Sequence, residues 1–92
     1  MTTKDVIRFL RRHKAKAKDY FEEVFSLGNY NYQDTQLEGS YQLVDGYFST
    51  TVDEQHNYTY IEVWDEYDNF IDGDYITFAM YERLLNEYKK EG

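Results

Sequence analysis

The sequence predicts an α+β fold in the order helix, three- to four-stranded antiparallel sheet, helix. Three observations carry this. Apolar residues recur at steps of three or four from Thr3 to Leu27 and again after Thr77. Between those stretches lie short runs rich in Tyr, Val, Ile and Thr that alternate with period two. Two of the runs flank Asp45-Gly46, the dipeptide favoured in a two-residue type I′ hairpin turn. At 92 residues the chain, 1–92, makes a single domain.

In the first helix Val6, Leu10, His13, Ala17, Phe21 and Val24 form one stripe, edged by Phe9, Tyr20 and Phe25. Thr2 or Thr3 caps its start and Gly28 stops it. Lys4, Arg8, Arg11, Arg12 and Lys18 fall on the opposite side. This order is unfavourable for the helix dipole, because bases gather at its positive end and Glu22 and Glu23 at its negative end. An acidic sheet or a partner would account for it. Asn29 to Thr35 reads as a loop. Gln36–Val44 and Tyr47–Val52 read as the hairpin, with Gly39 marking a bulge or a late strand start. Asp53 to Asn57 is a turn. Tyr58 to Asp65 is the clearest strand, bulky on both faces and so expected in the middle of the sheet with a helix over one side. Glu66 to Asn69 turns the chain, and Phe70–Asp72 adds a short fourth strand that Gly73 breaks. Thr77 caps the last helix, where Phe78, Tyr81, Leu84, Leu85 and Tyr88 keep helical spacing and Lys89 and Lys90 suit the final turn. Both helices are expected on one face of the sheet.

Charge is segregated along this order. From Met1 to Lys18 there are seven bases and one acid, a net +6, and the remainder carries −14. No Lys or Arg occurs in the 64 residues from Asp19 to Glu82, whereas Asp34 to Asp74 holds 11 acids. Compact domains ordinarily intersperse the two signs, because like charges repel. The 11 Tyr and one Trp supply rigid, half-apolar contact area suited to cores and interfaces. With no Cys there is no disulfide framework, thiolate metal site or Cys nucleophile. The absence of a long apolar run or a signal-type N-terminus points to a cytoplasmic protein with no membrane contact.

The constellations that carry chemistry are thin. Asp65, Glu66, Asp68, Asp72 and Asp74 are hard oxygen ligands, but an EF-hand register from Asp68 puts Phe70 third and Ala79 twelfth, so no metal is expected. Ser49, His56, Asp53 and Glu54 lie close in sequence without a nucleophile elbow or Gly-rich loop. No P-loop or dinucleotide fingerprint occurs, and His13 belongs to the apolar stripe. No catalytic residues and no cofactor are expected, and the chain reads as a non-enzyme.

In size, acidity and lack of a catalytic signature the chain resembles the small inhibitors encoded by phages and mobile elements, among them anti-CRISPR, anti-restriction and glycosylase-inhibitor proteins, and the nuclease immunity proteins. That resemblance is of type and carries over no residue. Together with the charge pattern it leads to an expected function. The chain is an inhibitor that engages a basic nucleic-acid-handling enzyme, such as a host defence nuclease, through Asp53, Glu54, Asp65, Glu66, Tyr67, Asp68, Asp72 and Asp74. Carboxylates at strand spacing would mimic a DNA phosphate row. The alternative is a module in which Arg8, Arg11 and Arg12 bind nucleic acid or an acidic protein. The −14 body repels nucleic acid and argues against direct binding. A homodimer, with one copy's basic helix on the next copy's sheet, is a third arrangement that the charges allow.

Overall fold

Thr2 and Asp5 cap one another at the start of the first helix. In the computed structural model the Asp5 N–H donates to the Thr2 hydroxyl at 3.2 Å, and the Thr2 N–H donates to the Asp5 carboxylate at 3.2 Å. Backbone donors at a helix start that lack partners within the helix are thereby paired. A third acceptor arrives from far along the chain, where the Asp45 carboxylate takes the Thr3 N–H at 2.6 Å. The Thr2 N–H at Asp5 and the Thr3 N–H at Asp45 hold both carboxyl groups below the ordinary carboxylate range. Two anions thus sit at the positive end of the dipole, offsetting the bases gathered there.

The structure describes the backbone of residues 1–27, 38–53, 55–56 and 58–91, and the side chains of these residues apart from 18–27 and 91. The elements are α1 (Thr3–Leu27), β1 (Gly39–Leu43), β2 (Gly46–Asp53), β3 (Tyr58–Asp65), β4 (Phe70–Thr77) and α2 (Phe78–Glu91). The class is the expected α+β, with four strands. They form one antiparallel meander in the order β1-β2-β3-β4, so β3 is an inner strand. The expected Gly28 stop and the loop from Asn29 to Thr35 lie outside the described residues, as do Gln36 and Leu37. The first strand takes the late start that Gly39 suggested.

Two local expectations are corrected. The turn between β1 and β2 is not an Asp45-Gly46 type I′ turn. Leu43 pairs with Gly46, which leaves Val44 and Asp45 as the two-residue loop. A type I′ turn needs positive φ at both central residues, and among the described non-glycine residues only Asp68 has it. The unusual conformation falls instead on Gly46, with φ 157°. A Cβ at this position would collide with the Trp64 carbonyl and stand 2.7 Å from the Thr3 hydroxyl. Glycine is needed there so that the loop can present Asp45 to the helix end.

The second correction concerns Gly73, which does not break the fourth strand. β4 continues through it for eight residues. Its missing side chain makes room for the Tyr60 ring, whose hydroxyl lies 2.6 Å from the position a Cβ would take. A bulge where β4 passes Val63 and Trp64 leaves Ile71 as the extra residue. β4 then runs straight into α2. Thr77 ends the strand and caps the helix, its hydroxyl accepting the Met80 N–H at 3.3 Å.

Both helices cover the same face of the sheet. Val6, Phe9, Leu10 and Ala17 of α1 join Leu43, Phe48, Ile61, Val63 and Ile76 of the strands and Phe78, Met80, Tyr81, Leu84 and Leu85 of α2 in one buried cluster. The Tyr81 hydroxyl meets that of Tyr41 at 2.7 Å, and burial pushes its pKa well up, so it stays a neutral hydrogen-bonding group. His13 is buried in the α1 stripe with its ring 4.6 Å from that of Phe9, and its Nδ1 finds no partner among the described residues. Burial lowers its pKa, and Arg12, Lys16 and Arg83 lower it further against a small opposing pull from Glu87.

Two outcomes follow. Gly46→Ala must fight both the φ and a backbone collision, so chemical denaturation should show a loss of about 3 kcal/mol or more. Gly73→Ala meets chiefly the movable end of Tyr60 and should cost clearly less; equal losses would contradict this reading of Gly46. Because folding disfavours the charged form of His13, its contribution is intact above its unfolded pKa of 6.5 and is lost as pH falls below that value. Replacing His13 with Leu should flatten the fall in stability between about pH 7 and pH 5.

Candidate protein-binding face

Alternation along β3 decides what the uncovered side of the sheet displays. Thr59, Ile61 and Val63 point into the core, so Tyr58, Tyr60, Glu62 and Trp64 point away from it. Strand register adds Tyr47, Ser49, Thr51 and Asp53 from β2, and Phe70, Gly73 and Tyr75 from β4. The buried residues of α1 and α2 lie on the opposite face, and among the described residues no helix covers this one. Phe70 and Tyr75 are each 52 % exposed on it.

The aromatic rings form two groups. Toward the β3–β4 turn, Tyr47 lies parallel to Trp64 with centroids 6.2 Å apart, and Phe70 meets Trp64 edge-on at 5.5 Å. Toward the other end, Tyr75 meets Tyr58 edge-on at 4.6 Å and Tyr60 at 4.7 Å. Cross-strand aromatic contacts of this kind stiffen a sheet and hold the rings in fixed orientations. Burial is the main cause raising the Tyr47, Tyr58 and Tyr60 pKa values, and nearby carboxylates raise them further, so these hydroxyls remain neutral donors.

The eight residues singled out in the sequence occupy three places. Asp53 ends β2 and accepts from the His56 N–H at 3.2 Å, with the two side chains 2.8 Å apart, and this pairing holds the Asp53 carboxyl below its usual range. Glu54 lies outside the described residues. Asp65, Glu66, Tyr67 and Asp68 make the β3–β4 turn at the far end, about 23 Å away along β3. Asp72 and Asp74 point to the helix-covered side. Asp72 stands 3.8 Å from the Arg11 guanidinium, and burial raises the Asp74 pKa while Lys14 pulls it down.

The turn itself uses Asp65. Its carboxylate accepts the Tyr67 N–H at 2.8 Å, the Asn69 N–H at 2.9 Å and the Asn69 side-chain amide at 3.1 Å, which hold its pKa low. Asp68 takes positive φ, 64°, a conformation that Asp tolerates well, and accepts the Tyr47 hydroxyl at 3.0 Å. Glu66 and Tyr67 are exposed at the tip, Tyr67 at 76 %.

Sequence reasoning missed Glu62, Tyr60, Trp64, Phe70 and Tyr75 as members of one surface. The alternation of β3 was visible, but the covered side was not. Glu62 occupies the middle of the open face, opposite Ser49 on one side and Gly73 on the other.

The basic residues lie on the helix side. Arg8 is 3.7 Å from Asp5, Arg11 reaches Asp72, and Arg12 donates to His13 Nε2 at 3.3 Å. The sheet itself contains no Lys or Arg. His56 pairs with Asp53 at the end of β2, about 13 Å along the strand from Ser49, so these residues do not assemble a nucleophile with its base. Among the described residues no three His, Asp or Glu converge in a way that could hold a metal ion, and no helix is long and apolar enough to cross a membrane. Compared with protein-family models, curated proteins and solved structures, the chain matches none.

The two acidic positions of the turn should separate on testing. Asp65→Ala should lower the urea midpoint measurably and Glu66→Ala should leave it in place, because only Asp65 pairs backbone donors. An Asp65→Ala variant as stable as the parent would remove the turn from this account.

Proposed function

We infer that the chain is a non-enzymatic binding protein whose open sheet face captures a basic, nucleic-acid-handling protein and blocks it. The observation that carries this reading is the composition of that face, two aromatic groups and several carboxylates on a sheet without a single Lys or Arg. Ordered Tyr and Trp rings supply contact area at low entropy cost, and they are favoured where binding energy concentrates. Carboxylates at both ends and in the middle attract a basic surface from a distance and repel acidic competitors. A groove that normally receives nucleic acid is such a basic surface. The carboxylates do not stand in one row, which favours aromatic contact ringed by charge over imitation of phosphate spacing. A phage-type inhibitor acting in the host cytoplasm fits this reading.

The test is affinity capture from a bacterial lysate, with the parent chain and a Tyr75→Ala/Glu66→Lys variant run side by side. The expected outcome is a nucleic-acid-binding protein held by the parent, released by duplex DNA or by raising salt from about 50 to 300 mM, and not held by the variant. The parent alone should not retard DNA in a mobility-shift gel. Capture indifferent to both the variant and DNA, or direct retardation of DNA, would reject the reading.

A further inference from the structure

Most acids of the sheet and its turns are already engaged, and Glu62 stands apart from them. Asp53 is tied to His56, Asp65 to the turn, Asp68 to Tyr47, Asp72 to Arg11, and Asp74 to the Tyr75 N–H at 2.8 Å. The half-buried Glu62 makes no hydrogen bond or ion pair among the described residues. Its cross-strand neighbours are the two smallest side chains on the face, Ser49 and Gly73. Along β3 it is flanked on the same side by Tyr60 and Trp64, each about 7 Å away. The result is a carboxylate bordered by Trp64 along the strand on one side and by the Tyr60 ring, which leans over Gly73, on the other, with only the small Ser49 facing it from β2.

We propose that this site receives an arginine side chain of the partner, its guanidinium paired with Glu62 between the rings of Tyr60 and Trp64. The Glu62 carboxylate is near enough to Tyr60 to help raise that hydroxyl's pKa, and a cation paired with it gains cation–π attraction where it comes within ~6 Å of a ring centroid. A planar guanidinium can stack on a ring and fork onto a carboxylate together, and a lysine ammonium can only do the second. Charge disfavours a second copy docking through the same face. A second copy of this chain would bring another Arg- and Lys-free face against this one, in a molecule of net charge −8. The inference rests on the reading of the open face as the interface with a basic partner, and it adds which residue of that partner the face selects.

Trp64 is the only tryptophan, so its fluorescence reports the site directly. The experiment titrates the full chain with an Arg-Gly repeat peptide and, separately, with the matching Lys-Gly peptide. The Arg peptide should change Trp64 emission and bind about tenfold tighter than the Lys peptide. Glu62→Gln should weaken the Arg peptide about tenfold, whereas Glu87→Gln, with the same loss of charge on the helix side of the molecule, should change it less than about twofold. Equal affinity for the two peptides, or equal effects of the two variants, would overturn the arginine site and leave the basic-partner reading standing. No response to either peptide, or a Trp64 signal that tracks self-association in light scattering, would overturn it as well. If the capture experiment fails while these titrations succeed, the arginine site stands and the nucleic-acid-handling partner falls.

Discussion

The junction between the β1–β2 turn and the start of α1 sets the architecture. Asp45 accepts the Thr3 N–H, and Gly46 lets the turn approach closely enough for it to do so. This contact links residues 42 positions apart and fixes where the first helix begins over the sheet. From that point the stripe Val6, Phe9 and Leu10 has one course, across the core and toward β4. At the other end of the chain β4 passes into α2 with Thr77 belonging to both, so the second helix has little choice but to fold back over the same side. A sheet with both helices on one face must show its other face to solvent or to a partner.

The same arrangement sorts the charges. α1 carries its bases along the edge where β4 presents Asp72 and Asp74, and Arg11 and Lys14 are spent there. The apparent misplacement of positive charge at the start of a helix is thereby explained twice, by the carboxylates that cap its end and by the acidic strand beneath it. What remains on the open side is negative and aromatic. The asymmetry that the sequence showed as position along a chain becomes, in three dimensions, a difference between two faces.

The sequence was informative wherever a local rule had one answer. The limits of α1 and β3 follow from periodicity, and the Thr77 cap from its place before a helical run. It was less informative where tertiary context chose between equals. Asp45-Gly46 carries a type I′ signature, but the carboxylate was needed elsewhere and the turn moved back by one residue. Gly73 looked like a breaker because the Tyr60 ring that fills its space comes from another strand. β3 is bulky on both faces, and only the position of the helices decides that Ile61 and Val63 are core while Tyr60 and Trp64 are surface. The acidic residues were correctly counted as a group, but residues at opposite ends of a strand and on opposite faces of a sheet cannot form one patch.

A sheet that leaves one face open still has edges, and β4 is one of them. An edge strand presents unpaired backbone groups that a neighbouring molecule can extend, which is how many β proteins begin to form fibrils. Here the edge is interrupted by the extra residue Ile71, and its inward-pointing positions carry Asp72 and Asp74. A fifth strand laid along it would meet a kink and would have to bury carboxylates against its own side chains. Bulges and inward charges are established ways of keeping sheet edges from templating one another. The bulge and the inward carboxylates thus disfavour pairing of another chain along the β4 edge.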